Sequence, residues 1–251
     1  MPSTRVTRPI LTRQQARDFY DRFGRRQDQQ SWFEKAPIDR LLELGDFGSA
    51  EAVVEFGCGT GRLAQALLDD HLPESGTYVG FDVSETMVQL TRRRLVRHGA
   101  RASVVRTDGR PRVPLPPMSS DRFISTYVLD LLSTQDISRT LAQAWMVLRP
   151  NGLLCLTGLT YGTSLISRWV VASWLAIHSL KPSLVGGCRP ISLTDFLGPA
   201  SWKVLHSSTL VSWGVPSEIV IAQPRAHSRP GEGIDRLIDH ADAKELENEV
   251  G

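Results

Sequence analysis

The sequence contains few cysteines and no long apolar run. Cys58, Cys155 and Cys188 lie far apart, and no two of them have the spacing of a metal-ligand pair or of a disulfide framework. No apolar run reaches the length of about 18 residues that a membrane-spanning helix requires. We therefore expect no metal site and no membrane span, and a reduced, cytoplasmic setting is the simplest expectation.

The chain also lacks an excess of charge of either sign. It has 29 lysines and arginines against 27 acidic residues, so its formal net charge is only +2. A protein that holds a nucleic-acid backbone usually carries a strong basic field. The sequence therefore predicts no nucleic-acid partner.

Length and composition indicate one large α/β domain with appendages. The chain has 251 residues, of which 41% are hydrophobic, and this content can support a sizeable core. Residues 1–13 contain arginines and no acid, and we expect them to form a flexible arm. Residues 14–224 form the predicted domain, and the polar residues 225–251 are expected to form a mobile tail.

A glycine-rich stretch at 53–61, with the sequence VVEFGCGTG, is the strongest local signal. A strand-like run that contains Glu55 ends in glycines at alternate positions, Gly57, Gly59 and Gly61. Glycine adopts positive φ readily and, because it has no Cβ, lets a ligand approach the main chain closely. The pattern predicts a strand, a tight ligand-binding turn and a helix.

The spacing of these glycines distinguishes two classes of cofactor site. A dinucleotide fingerprint, G-x-G-x-x-G, would need a glycine where Arg62 stands. The observed pattern, E-x-G-x-G-x-G, resembles the first motif of the class I S-adenosylmethionine-dependent methyltransferases, a family with a Rossmann-like sheet. The resemblance implies that the turn packs against the methionyl part of S-adenosylmethionine through Gly57, Cys58, Gly59 and Gly61. It implies that Glu55 orders the turn and the polar end of the cofactor.

An acid ends the second predicted strand, 77–82. A carboxylate at the end of the strand beside the first can accept two hydrogen bonds from a ribose diol. The resemblance implies this role for Asp82, with Val83 beside it. The alternative is that Asp82 caps the following helix, although Ser84 already supplies an N-cap.

Asp108 and Gly109 follow a third predicted strand, 102–106. In the family that the chain resembles, an acid at this position accepts a hydrogen bond from the adenine amino group. The alternative is a plain turn in which an aspartate stands beside a glycine.

A helical stretch before the first strand supplies a further cofactor candidate. Residues 19–23, with the sequence FYDRF, resemble the Y-D-x-x-A/G stretch of small-molecule methyltransferases, whose aromatic residues help to close the cofactor site. The resemblance implies this role for Tyr20. The alternative is a helix that buries Phe19 and Phe23 on one face at i, i+4 spacing.

The residues that follow the fourth predicted strand, 121–126, are candidates for contact with the methyl acceptor. In the family, this position lies at the junction of cofactor and acceptor, which makes Tyr127, Asp130 and Leu131 candidates for contact with the acceptor. For Tyr127 and Asp130 it implies catalytic roles. Asp130 suits a general base or a group that holds a cationic substrate. A structural hydrogen bond is an equally good interpretation of Asp130.

The C-terminal half adds a turn, a helix and a hairpin. Residues 149–152, RPNG, resemble the L-K/R-P-G-G turn before strand 5 of these methyltransferases. A tryptophan-bearing helix at 164–180 and a glycine-rich loop follow. Segments 203–213 and 217–222 are predicted to form a β-hairpin. Four residues of this half are candidates for acceptor binding: Tyr161, Trp169, His178 and Arg189.

Together these motifs predict an α/β fold with a Rossmann-like, seven-stranded, doubly wound sheet, N-terminal helices, a helical insertion after strand 5 and a C-terminal antiparallel hairpin. The chain most resembles the ubiquinone/menaquinone-biosynthesis and phospholipid methyltransferases. This resemblance implies transfer of a methyl group from S-adenosylmethionine to a small apolar or lipid-like acceptor, with peripheral membrane contact. Two alternatives stay open: a protein that binds the cofactor without methyl transfer, and a nicotinamide-dependent oxidoreductase.

Overall fold

A computed structural model of the chain describes residues 11–24, 32–162, 165–180 and 187–225. The predicted tail beyond Arg225 and the first ten residues of the predicted arm lie outside these ranges. Residues 11–13, which we also assigned to the arm, belong to the described structure. There Thr12 and Gln15 form a capping box, in which the Thr12 hydroxyl accepts from the Gln15 N–H at 3.2 Å and the Gln15 side chain accepts from the Thr12 N–H at 2.9 Å.

One seven-stranded sheet forms the centre of the fold, in the order β3-β2-β1-β4-β5-β7-β6. The strands are β1 (Ala52–Phe56), β2 (Thr77–Asp82), β3 (Ala102–Arg106), β4 (Ser120–Thr126), β5 (Leu148–Leu159), β6 (Trp202–Ser212) and β7 (Val215–Pro224). The first five strands pair in parallel, and β7 pairs antiparallel with both β5 and β6. This confirms the predicted Rossmann-like sheet, with the last strand inserted between the two before it.

Helices flank the sheet on both faces. In the described ranges they are α1 (Arg13–Phe23), α2 (Lys35–Leu44), α3 (Arg62–Ala66), α4 (Glu85–Leu95), α5 (Thr134–Val147) and α6 (Leu165–Leu180). A single π-helical turn, Leu67–His71, extends α3, and a 3₁₀ segment, Val96–Arg101, follows α4. The helices follow the apolar periodicity of the sequence, although β5 begins at Leu148 and so includes residues 149–152, which the sequence predicted as a turn before it.

Two apolar clusters, one on each face of the sheet, form the core. Phe123 and Ile124 are neighbours on β4 and are both fully buried, but they belong to opposite clusters because successive side chains of a strand point to opposite faces. Ile137 of α5 packs in the Phe123 cluster, and Leu41 of α2 packs in the Ile124 cluster. This double layer holds β1 rigidly between β2 and β4, and it leaves the carboxyl ends of these strands open for a site.

Candidate functional site

A cavity of about 590 Å³ lies at the carboxyl ends of β1, β2 and β4. The chain crosses from one side of β1 to the other here, and ligands of open α/β sheets bind at such switch points. Residues of α1 and the loops after these strands form the walls. Six of the predicted cofactor residues line the cavity: Tyr20, Gly57, Gly59, Asp82, Val83 and Gly109.

The glycine turn has the backbone that the sequence predicts. Gly57, Gly59 and Gly61 all have positive φ, at 85°, 52° and 77°. A Cβ on Gly57 would overlap Cγ2 of Val128, and a Cβ on Gly61 would lie 2.6 Å from Cγ2 of Thr91. The turn therefore needs glycine both for its φ angles and because neighbouring side chains leave no room.

Asp82 connects this turn to the next strand. Its Oδ2 accepts from the Gly59 N–H and its Oδ1 accepts from the Ser84 N–H, both at 2.9 Å. Burial raises the pKa of Asp82 to about 6, against the effect of these hydrogen bonds. The cap of α4 is the Ser84 hydroxyl, which accepts from the Met87 N–H at 3.2 Å. The Asp82 carboxyl thus orders the glycine turn and lines the cavity.

Three other predicted cofactor residues stand behind the cavity wall. Glu55, Cys58 and Gly61 are buried and do not line the cavity. The Glu55 carboxyl accepts a 2.5 Å hydrogen bond from the hydroxyl of Tyr78 on β2. Burial raises the pKa of Glu55 to about 7, although this hydrogen bond opposes the shift. Tyr78 was not among the predicted site residues, because no local pattern marks a partner on the next strand.

Asp108 points away from the cavity. It is exposed, and its carboxyl accepts from the Arg110 N–H at 2.9 Å and lies 3.5 Å from the Arg110 guanidinium. This is the turn geometry of the alternative interpretation. The neighbouring Thr107, which we did not single out, lines the cavity, and its N–H donates to the main-chain oxygen of Asp82 at 2.8 Å.

Tyr127 lies at the end of the cavity remote from β3. It has a φ of 54°, which is uncommon for a residue with a side chain, and its hydroxyl lies 2.8 Å from Oγ of Ser217. Burial raises the pKa of the Tyr127 phenol. Leu131 and Leu132 complete this apolar end of the cavity.

Asp130 is fully buried just behind this end. Its Oδ2 accepts from the Leu159 N–H at 3.1 Å, while no described residue gives Oδ1 a hydrogen bond of normal geometry. Burial raises the pKa of Asp130 to about 6. Glu34, a residue that the sequence did not mark, has a pKa of about 7, raised by burial and by the charge of Asp130. Two carboxyls with raised pKa values therefore stand near Tyr127.

The four acceptor-binding candidates of the C-terminal half do not line the cavity. Tyr161 and Trp169 have exposed fractions of 53% and 76%. His178 is buried, with Nε2 3.2 Å from the main-chain oxygen of Gly187. Arg189 donates from its guanidinium to the main-chain oxygen of Leu132, which is itself a cavity residue.

A row of aromatic rings leads from the cavity to the surface. Tyr127 contacts Phe33 edge-to-face, with ring centroids 5.8 Å apart. Phe33 contacts Trp32 at 5.5 Å, and Trp32 contacts Trp213 at 5.8 Å. Trp213, in the turn of the hairpin, has an exposed fraction of 79%. We call these four residues the aromatic row, and no local sequence pattern predicts that they meet.

The described ranges contain no group of three or more His, Cys, Asp or Glu residues that could hold a metal ion. Within the same ranges, no helix is long and apolar enough to cross a membrane.

Comparison with known proteins finds a family match over part of the chain and a shared fold. Residues 53–152 match a family described as a methyltransferase domain. A search of curated protein sequences finds no match to this chain.

Many solved structures share the fold. The [4+2]-cyclase SpnF has a TM-score of 0.66 and 15% identity, over 87% of this chain and 99% of that chain. A Haloferax volcanii protein solved with the Trm112 methyltransferase activator has a TM-score of 0.64 and 16% identity, over 86% and 100%. Geranyl diphosphate C-methyltransferase from Streptomyces coelicolor A3(2), solved with S-adenosyl-L-homocysteine, has a TM-score of 0.59 and 12% identity, over 76% and 79%.

The matched stretch runs from β1 into β5 and contains the glycine turn, Asp82 and Tyr127. The cavity therefore belongs largely to the part of the chain that carries the family match. Residues 53–152 match the methyltransferase domain family, and the chain has the fold that these solved structures share.

Proposed function

We propose that the protein methylates a small apolar or lipid-like acceptor, which binds at the Tyr127 end of the cavity. The aromatic row carries this proposal. It provides a continuous apolar path from exposed Trp213 to Tyr127, and aromatic rings bury large apolar areas of a ligand. A strongly hydrated acceptor would lose its water along this path without compensation.

The cavity residues suit the cofactor. The turn at Gly57 and Gly59 offers bare main chain, and a side chain at Gly57 has no room. We assign Asp82 to accept from the ribose hydroxyls and Tyr20 of α1 to cover the bound cofactor, because both residues line the cavity. S-adenosylmethionine supplies a methyl group on a positively charged sulfur. The protein's part is to align the two reactants and to exclude water.

We assign Tyr127 to contact with the acceptor and Asp130 to proton acceptance when the acceptor must lose a proton. A general base works best when its pKa lies near the working pH, and burial brings the pKa of Asp130 to about 6. Glu34 is the second carboxyl near Tyr127 with a raised pKa. Because Asp130 lies behind the wall, it would act through a small rearrangement at Tyr127 or through water.

Exposed tryptophans support peripheral contact of a cytoplasmic protein with a membrane. Trp32, Trp169 and Trp213 have exposed fractions of 53%, 76% and 79%. Val170, next to Trp169 on α6, lies against the Gly214 turn, so two of the three are on adjacent elements. Tryptophan is favoured where apolar and wet surroundings meet.

The test is release of S-adenosylhomocysteine with a panel of quinol precursors, phenols, hydrophilic amines and phosphatidylethanolamine vesicles. We expect turnover with an apolar or lipid acceptor. The W32A/W213A double variant should raise the KM for that acceptor without changing affinity for S-adenosylmethionine. Val96→Ala, at an exposed apolar residue elsewhere, is the control.

Turnover only on hydrophilic amines would contradict the proposed acceptor class. Tight cofactor binding without turnover on any compound would favour the first alternative, a protein that binds S-adenosylmethionine without methyl transfer. The nicotinamide alternative requires calorimetric binding of a dinucleotide, which the residue Arg62 in place of the third glycine disfavours.

A further inference from the structure

A second concavity, outside the cofactor cavity, is lined by four arginines. It is an open groove of about 610 Å³ between α1, α5 and the loop 110–115. We call it the arginine groove, after Arg13, Arg110, Arg112 and Arg139. Nothing in the methyl-transfer reaction requires it, and only Arg13 lines both concavities.

The loop that carries two of these arginines is anchored. Val113 is buried, and its N–H donates to Oε1 of Gln143 on α5 at 3.1 Å. Pro111 and Pro114 stand on either side of Val113 and restrict the φ angles of the loop. Arg110 and Arg112 are therefore exposed side chains on a fixed backbone.

Carboxylates neutralise only part of the charge in the groove. Asp136 lies 3.0 Å from the guanidinium of Arg13 and 4.0 Å from that of Arg139. Asp108 pairs with Arg110 at 3.5 Å. In the described part of the chain Arg112 has no ion pair and its side chain no hydrogen-bond partner. Four guanidinium groups against two carboxylates leave a surplus of two positive charges, which equals the formal net charge of the whole protein.

Other arginines of the protein have structural partners that the groove lacks. On α4, Arg92 donates to the main-chain oxygen of Val104 at 2.7 Å, and Arg94 donates to that of Thr60 at 2.8 Å. These side chains hold the fold together. Arg112 makes no such bond in the described part of the chain, and its exposed side chain lines the groove.

We propose that the arginine groove binds a phosphorylated small molecule, with Arg112 as its main ligand and Arg110 and Arg139 beside it. The guanidinium group presents parallel N–H donors that match two phosphate oxygens, and such charge-assisted pairs are the strong hydrogen bonds of binding sites. A di-anionic phosphate or diphosphate would balance the surplus charge. The concave shape favours a compact ligand over an extended polymer.

The experiment is calorimetric titration of the full chain with inorganic pyrophosphate at constant ionic strength. We expect saturable binding of one equivalent. Arg112→Gln should weaken it about tenfold, the effect of one lost charge-assisted hydrogen bond, and Arg139→Gln by less. Arg93→Gln removes the same charge from an exposed position on α4 and should leave pyrophosphate affinity unchanged.

Absence of saturable binding overturns the proposal, as does an equal loss in Arg112→Gln and Arg93→Gln. Displacement of pyrophosphate by a tighter-binding single-stranded oligonucleotide also overturns it, in favour of a nucleic-acid surface. Circular dichroism and affinity for S-adenosylmethionine show that each variant is folded. Because the assay measures no methyl transfer, its outcome is separate from that of the proposed function.

Discussion

The hydroxyl of Tyr78 on β2 donates a 2.5 Å hydrogen bond to Oε2 of Glu55 on β1, and both side chains are buried. The pair joins the two strands just before the glycine turn. It also makes the stability of the fold depend on pH, because burial raises the pKa of the Glu55 carboxyl.

Replacement of Glu55 by glutamine should flatten the pH dependence of stability. The pKa of Glu55 is raised from 4.5 to about 7 in the folded protein. A raised carboxyl pKa favours the folded state below pH 4.5, and this contribution is lost as pH rises through about 7. The loss amounts to about 3 kcal/mol. Urea unfolding at pH 5 and pH 8 should show a smaller difference for Glu55→Gln than for the wild type; equal differences would contradict the assignment.

Asp82→Asn should weaken S-adenosylmethionine binding by about tenfold or more. The carboxylate orders Gly59 and Ser84 and lines the cavity, and an amide cannot accept both of its main-chain hydrogen bonds. Asp108→Asn is the matched control: its side chain is exposed and turned toward Arg110, so cofactor affinity should not change. Calorimetric titration of both variants with S-adenosylmethionine measures the two affinities. A larger loss in Asp108→Asn would restore the adenine role that its sequence position implied.

Gly57→Ala should destabilise the protein more than Gly99→Ala. Both glycines have positive φ, at 85° and 55°, and such backbone conformations cost a residue with a side chain about 1–3 kcal/mol. A Cβ at residue 99 meets nothing within 4 Å, whereas a Cβ at residue 57 overlaps Val128. Overpacking of this kind adds about 1–3 kcal/mol. Chemical unfolding of the two variants gives the difference, and equal losses would mean that Val128 moves aside at no cost.

Asp130→Asn should remove an ionisation from the pH profile of kcat/KM. The wild-type rate on an acceptor that loses a proton should rise with pH through about 6, because only the ionised Asp130 accepts a proton. The amide variant should be slow and lack this limb. Glu34→Gln should leave the limb near pH 6, because Glu34, with a pKa of about 7, is largely uncharged where Asp130 ionises. A limb that persists near pH 6 in Asp130→Asn would assign the ionisation to another group.

Local sequence patterns predicted the strands of the sheet, but they did not predict the directions in which the side chains at the strand ends point. The apolar runs and the glycine turn predict β1 to β4, because strands and tight turns depend on residues that are neighbours in sequence. Asp82 and Asp108 both follow strands, yet only Asp82 lines the cavity. The direction of a carboxyl group that follows a strand depends on the hydrogen bonds of its own turn. The Asp82 carboxyl accepts from the Gly59 N–H, whereas the Asp108 carboxyl accepts from the Arg110 N–H.

The acceptor end of the site could not be predicted for a different reason. Glu34 and Asp130 influence each other across the fold, and Trp32 meets Trp213 only after the hairpin has packed beside α2. Such contacts join distant parts of the chain. They depend on packing between elements, which the periodicity of one segment does not specify.

The cofactor turn is held by the sheet itself. The N–H groups of Gly57 and Cys58 both donate to the main-chain oxygen of Phe81 on β2, at 2.8 and 3.0 Å. A loop already fixed in this way loses little chain entropy when a ligand arrives, so more of the contact energy remains as affinity. Its amide protons should also exchange slowly with deuterated solvent before any cofactor is added, at rates set by the opening of β1 from β2.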